Sequence, residues 1–178
     1  MHRLAHHAFR ILLVVLGAVV LATGLGLLLP RHHVARTRVV LQHPVEQVWA
    51  VIDDLPSQPD WRSDLQGVER VADPAGREIW LQHTDRGDWA IELTTREAPR
   101  LLVTTTADSS EGFGGTWTYE VAAVDSGTAL TITEHGFIDS PLYRFLARFV
   151  FGLHGTQEVY LRDLADHLDE DARLERLD

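Results

Sequence analysis

From Ile11 to Leu29 the chain runs nineteen residues without a charge, and nothing else in it constrains the fold as strongly. As an α-helix this run spans roughly 28 Å at about 1.5 Å per residue, close to the hydrocarbon thickness of a bilayer. A secretory signal is the competing reading, but its apolar core normally has about 7 to 15 residues and precedes a small-x-small cleavage site. Pro30-Arg31-His32-His33 follows here instead. The expectation is an uncleaved single-pass anchor that makes the lipid bilayer a partner through residues 11–29, with residues 1–33 forming flank and transmembrane helix.

Arg3, Arg10 and the terminal amine on one flank balance Arg31, Arg36 and Arg38 on the other, so the positive-inside rule assigns no side. His2, His6, His7, His32 and His33 crowd both flanks, but no carboxylate or cysteine completes a ligand set, and no metal is expected. Gly17, Gly24 and Gly26 lack the four-residue spacing of a helix-dimer motif, so the anchor does not indicate an oligomeric state.

Of the 178 residues, those beyond the anchor suit one domain with one core. Setting aside Arg3 and Arg10, this part carries 14 arginines against 26 acids, a formal charge of −12. Such a surface repels phosphate backbones, so nucleic acid is not an expected partner. Cysteine and lysine are both absent. Their absence excludes disulfides, thiolate chemistry, a Schiff-base lysine and the lysine of a phosphate loop.

Arg36 to Gln42 reads as a first strand, and His43-Pro44 breaks it and opens a helix with Val45, Val48, Trp49 and Ile52 at helical spacing. Asp53 to Pro56 ends that helix, and Pro59 to Arg62 reads as a second, very short one. The period then changes to two. Strands are expected near 67–72, 78–83, 88–97, 101–107, 116–124 and 129–137, joined by short turns that suit antiparallel hairpins. Ser140-Pro141 caps a long terminal helix running to about Leu168, weakened where Gly152 and Gly155 interrupt it. Residues 169–178 read as a charged tail that frays.

This order, together with His43-Pro44-Val45-Glu46-Gln47-Val48-Trp49, the stretch from Asp53 to Trp61, Gly127-Thr128 and Tyr160-Leu161-Arg162-Asp163-Leu164, resembles the START-like (SRPBCC) superfamily, in particular its polyketide cyclase/dehydrase and lipid-transport branch. The resemblance covers 34–168. It implies an α+β helix-grip fold in which a curved antiparallel sheet of about seven strands wraps a long C-terminal helix. It also implies an apolar cavity between them, open near the two short helices, for a hydrophobic small molecule such as a lipid, isoprenoid or quinone. No cofactor is implied.

Choosing the more apolar register of each strand turns Ile79, Leu81 and His83 inward, with Trp89, Ile91, Leu93 and Thr95, then Leu101, Val103 and Thr105, then Trp117, Tyr119 and Val121, then Leu130, Ile132 and Glu134. The expected cavity lining is Trp61, Leu81, Trp89, Ile91, Leu93, Val103, Trp117, Tyr119, Ile132, Glu134, Phe145 and Phe149. Glu134, His83 and Tyr119 are the candidates for acid–base work, which would make the domain a cofactor-independent cyclase or dehydratase. The alternative places His83 and Glu134 at wet strand ends and Tyr119 in the core. Arg62, Arg144 and Arg148 either contact an anionic head group or cover a solvated face, and a one-residue slip would exchange Glu134 for His135. The acidic surface also leaves room for a protein partner. Gly112-Phe113-Gly114-Gly115 reads as a tight hairpin, and no nucleophile elbow or zinc helix is present.

Overall fold

In the computed structural model the backbone of residues 2–177 is described, with side chains for residue 7 and residues 9–177. The side chains of His2, Arg3 and His6 lie outside that set. The apolar run becomes α1 (His2–Leu27), of which Phe9–Leu27 is long and apolar enough to cross a membrane, a test that a signal sequence also passes. Strand β1 (His32–Leu41) follows at once, starting four residues earlier than the β-branched pattern indicates. Then come α2 (Val45–Asp53), a 3-10 turn (Leu55–Asp60) and β2 (Gly67–Val71).

Five strands follow in hairpin order: β3 (Ile79–Thr84), β4 (Gly87–Glu97), β5 (Leu101–Thr106), β6 (Phe113–Val124) and β7 (Gly127–Ile138). The sheet order is β2-β3-β4-β5-β6-β7-β1-β8, antiparallel throughout. β1 therefore lies beside β7, and α2 with the 3-10 turn carries the chain across to the far edge.

The terminal helix is not continuous. Ser140 caps α3 (Pro141–Leu146), a wide π-type turn spans Ala147–Phe151, and Gly152 at φ 80° stops the helix, a backbone conformation that costs glycine little. The chain then enters α4 (Gly155–His167), which alone lies over the sheet. Its buried residues Gln157, Tyr160, Leu161, Leu164 and Ala165 follow helical spacing and join Val39, Leu41, Ile52, Leu55, Leu93, Leu102, Tyr119, Leu130 and Ile132 in one core. Two side-chain hydrogen bonds tie α4 to β1: Thr37 Oγ1 donates to Gln157 Oε1 at 2.6 Å, and Gln157 Nε2 donates to the Ala35 carbonyl at 3.0 Å.

The charged tail docks instead of fraying, which corrects the expectation for 169–178 and raises the strand number to eight. Leu174–Arg176 forms β8 along β1, and the Glu170 carboxylate accepts from the Gln42 amide at 2.7 Å. Arg176 reaches back to Glu158, 2.7 Å away. Long-range ion pairs of this kind leave no periodic trace in the sequence.

Candidate functional site

Pairing decides which side chains face α4. Tyr119 lies opposite Ile132 and Leu102, Trp117 opposite Glu134 and Thr104, and Leu93 opposite Thr104. Trp80 lies opposite Ile91, and Gln82 opposite Trp89. The concave face of β3 is therefore Trp80 and Gln82, and that of β5 is Leu102, Thr104 and Thr106. This corrects the inward register of two strands and, with it, the lining residues Leu81 and Val103: Ile79, Leu81, His83, Leu101, Val103 and Thr105 occupy the convex face, where the Thr105 hydroxyl meets that of Thr116. A bulge between Leu93 and Thr95 also sends Thr95 outward. The more apolar register fails here because the concave face carries polar groups that find partners inside, with Thr104 bonded to the Tyr119 hydroxyl.

Exposure is lower at one end of this face than at the other, although Gln82 stays buried beside Trp89. Leu130, Ile132, Val39 and Thr37 are fully enclosed at the end where α2 packs. Trp80, Ile91 and Trp117 are half-buried, and Trp89 stacks on Phe113 at 4.9 Å, with Phe113 42% exposed. The wet end is where β1 begins and β7 finishes, beside the exit of α1. The resemblance implies an opening near the two short helices, and the structure closes that end with Val48, Trp49, Ile52 and Leu55. The opposite end is the more exposed one, and α3 packs chiefly on α1.

Midway along, Tyr160 of α4 forms the centre of an aromatic cluster: Trp61 meets it edge-on at 5.2 Å, Tyr119 lies at 5.5 Å and Trp117 at 6.3 Å. The Arg62 guanidinium sits 5.1 Å above the same ring, held by Gln58 and Asp64. With only 9% of its side chain exposed, Arg62 does not cover a solvated face. Burial disfavours its charge, the Asp64 carboxylate more than offsets this, and its pKa rises above the usual arginine value. Burial pushes the Tyr119 hydroxyl up to about 12 and Tyr160 well above the ordinary tyrosine range. Both are neutral hydrogen-bonding groups, and the Tyr160 hydroxyl is buried without a partner among the described residues.

Glu134 faces inward at the open end with 18% of its side chain exposed, and no slip exchanges it for His135. Its companion there is His33, with 3.6 Å between Nε2 and Oε1. Gly136 makes this approach possible, since a Cβ on it would lie 2.5 Å from the His33 ring. His33 is the residue that sequence reasoning missed, because its place beside the anchor made it look like flank. Its two-residue alternation with Ala35, Thr37 and Val39 was the available signal.

His83 leaves the acid–base set. It is on the convex face four strands from Glu134, about 19 Å at the usual strand spacing. There its ring bonds Asp88 at 2.8 Å and approaches Glu69 at 3.6 Å. The Asp88 hydrogen bond raises its pKa above 6.5. This contact therefore favours the fold fully below pH 6.5 and is lost as pH rises through the raised value. Asp88→Asn is expected to bring the His83 titration, followed by imidazole NMR shifts, back toward 6.5.

Phe145 and Phe149 do not line the concave face either: their rings meet at a tilt, 5.1 Å apart, on the α3 side, with Phe149 63% exposed. Arg144 donates to the carbonyls of Leu29, Ile138 and Asp139. Two hollows open elsewhere, one of about 300 Å³ among Asp166, Asp169, Glu170 and Asp171, the other of about 220 Å³ beside His32, His33 and His135. Among the described residues no three His, Asp or Glu side chains converge as metal ligands.

No curated protein sequence matches the chain. Solved structures do, at the level of fold. An aromatase/cyclase from Streptomyces sp. R1128 aligns with a TM-score of 0.60 at 15% identity, over 78% of this chain and 94% of its own. A START superfamily protein from Mycobacterium smegmatis gives 0.60 at 14% identity, over 77% and 97%. The family profile described as polyketide cyclase/dehydrase and lipid transport matches residues 31–169. The sheet, the enclosing α4 and this match agree, and the chain belongs to the polyketide cyclase/dehydrase and lipid transport family of the START-like (SRPBCC) superfamily.

Proposed function

We propose that the protein is a membrane-anchored carrier that holds a hydrophobic small molecule, of lipid, isoprenoid or quinone type, against the open end of its concave face. The observation that carries this reading is the difference in exposure along the face, which leaves Trp80, Trp89, Phe113 and Trp117, with Ile91 among them, as a half-exposed apolar wall toward the end where α1 departs. α1 serves as the tether. Most of its apolar surface is not covered by the domain, and leaving it in water would forgo about 25 cal/mol per Å². A tether beside the open end concentrates a bilayer-soluble ligand where it can enter. Mass spectrometry of the detergent-extracted protein is expected to recover such a molecule in stoichiometric amount, and extraction that yields none at any ratio would defeat the reading.

The Tyr160 hydroxyl, buried and unpaired in the empty domain, becomes the ligand's polar contact when the ligand displaces the aromatic side chains that cover it. An unsatisfied buried hydroxyl costs about 1–3 kcal/mol. Tyr160→Phe removes that cost from the empty domain while taking a hydrogen bond from the filled one. The variant should melt at the same or a higher temperature yet retain several-fold less ligand through purification. A variant that keeps its ligand would place the polar contact elsewhere.

A second reading rests on the His33–Glu134 pair, whose side chains are 15% and 18% exposed and share the ligand's face. Such a pair can pass a proton to and from a bound carbonyl compound, as a cyclase or dehydratase requires. Glu134→Gln separates the two: a carrier binds the same molecule in both proteins, whereas a dehydratase variant accumulates a species heavier by one water.

A further inference from the structure

We propose that residues 141–151, α3 and the π-type turn after it, form a second membrane-embedded element, so that the domain rests in the bilayer on a helix pair. This inference rests on the reading of α1 as a membrane span. In the apolar run Ala22, Thr23, Gly26 and Leu29 are less exposed than the rest, and the first three share one face of α1. α3 packs on that face. The contact is close at Gly26, where a Cβ would lie 1.8 Å from the Pro141 carbonyl oxygen. α3 therefore meets α1 inside the apolar run itself, and whatever medium surrounds Ala22 to Gly26 surrounds α3 as well.

The surface of the segment matches that medium. Tyr143, Phe149, Val150 and Phe151 are each more than 60% exposed. Large apolar residues exposed singly are ordinary, but four on an eleven-residue segment continuous with an apolar helix are not. Phe149 to Phe151 form an unbroken apolar stretch at its tip.

Polar groups are handled as lipid demands. Arg144 turns back to the carbonyls of Leu29, Ile138 and Asp139, at the level where α1 ends and the sheet begins. The Thr23 hydroxyl is satisfied within α1 by the Val19 carbonyl at 2.8 Å. Ser140 caps the first turn of α3. Arg148 is the remaining charge, two helical turns from Pro141 and so about 10 Å along the axis, within the depth from which a long side chain reaches the head groups. Gly152 then returns the chain to α4.

The absence of cysteine allows a direct test in the full chain. Phe149→Cys and Phe151→Cys, with Leu16→Cys in α1 and Asp85→Cys in the β3–β4 turn as references, are labelled with an environment-sensitive fluorophore. Each is reconstituted in phosphatidylcholine/phosphatidylglycerol vesicles containing nitroxide-bearing phosphatidylcholine. These positions are exposed, so the substitutions leave the packing intact. The labels at 149 and 151 are expected to be quenched by the lipid nitroxide like Leu16→Cys, and to resist aqueous iodide about tenfold better than Asp85→Cys, as immersion of about 5–10 Å implies. Iodide quenching at 149 and 151 with lipid quenching at Leu16→Cys would overturn the proposal while leaving the anchor standing. Quenching by neither agent would show the segment covered by protein, such as a second copy, and would also overturn it. Loss of lipid quenching at Leu16→Cys would remove the anchor and this inference together.

Discussion

Replacing Gly127 with alanine is expected to destabilise the soluble domain by about 3 kcal/mol or more, a large effect for one added methyl group. Gly127 stands at φ 133°, outside the range other residues adopt readily, and that strain alone costs about 1–3 kcal/mol. The added methyl would also sit 2.1 Å from the Leu41 carbonyl oxygen and 2.9 Å from the Gln42 Cα. Both contacts are backbone, so no rotamer change relieves them. The position is a junction: Gly127 closes the β6–β7 hairpin on Val124, and its neighbour Thr128 donates to the His43 carbonyl at 2.6 Å. Forcing it apart separates β7 from the end of β1 just before α2. Urea unfolding of the detergent-solubilised protein, followed by tryptophan fluorescence, measures the loss. Gly76→Ala is the control, since Gly76 has φ 76° and a methyl placed on it would have nothing within 4 Å. It should lose only the conformational part, about 1 kcal/mol. Equal losses at the two glycines would mean that the Leu41 contact is readily relieved.

Gln157→Leu should cost about 2–4 kcal/mol and lower the melting temperature by roughly 10 °C. Gln157 is fully buried, and its amide holds Thr37 on one side and the Ala35 carbonyl on the other. Because the Thr37 hydroxyl gives its proton to Gln157, the 3.0 Å contact with His154 requires Nδ1 of that ring to donate. Leucine fills the volume but leaves the Ala35 carbonyl without its α4 partner, which exchanges a hydrogen-bond network for bare desolvation. Leu164→Ile, in the same helix and equally buried, tests packing alone and should cost less than about 1.5 kcal/mol. A Gln157 variant no worse than this control would show that α4 is held by apolar contact alone.

Much of the architecture was readable because periodicity records it. The shift from a 3.6-residue to a 2-residue pattern after Trp61 placed six antiparallel strands, β2 to β7, and His43-Pro44 located the turn into α2. Ser140-Pro141 marked the start of α3. The apolar run was readable as a helix long enough to cross a bilayer, since nineteen residues in it carry no charge. β8 was hidden because three residues held by Glu170 and Arg176 carry no periodic signal. The concave lining was half hidden: Trp117, Tyr119, Ile132, Ile91 and Leu93 face inward, whereas Leu81 and Val103 do not. Each of those two strands has two faces of similar polarity, and only the partner strand decides between them.

By itself the sequence determined the helices and strands up to β7, their helix-grip order and the apolar helix before them, because these depend on residues close together in the chain; it did not show the break between α3 and α4 or strand β8. Only the tertiary structure decided that His33 and not His83 accompanies Glu134, that the concave face is more exposed beside α1 than beside α2, and that α3 packs on the apolar helix. Those outcomes depend on strand register and on contacts more than a hundred residues apart, such as Gly26 with Pro141, and such contacts are settled by which surfaces fit when the whole chain has folded.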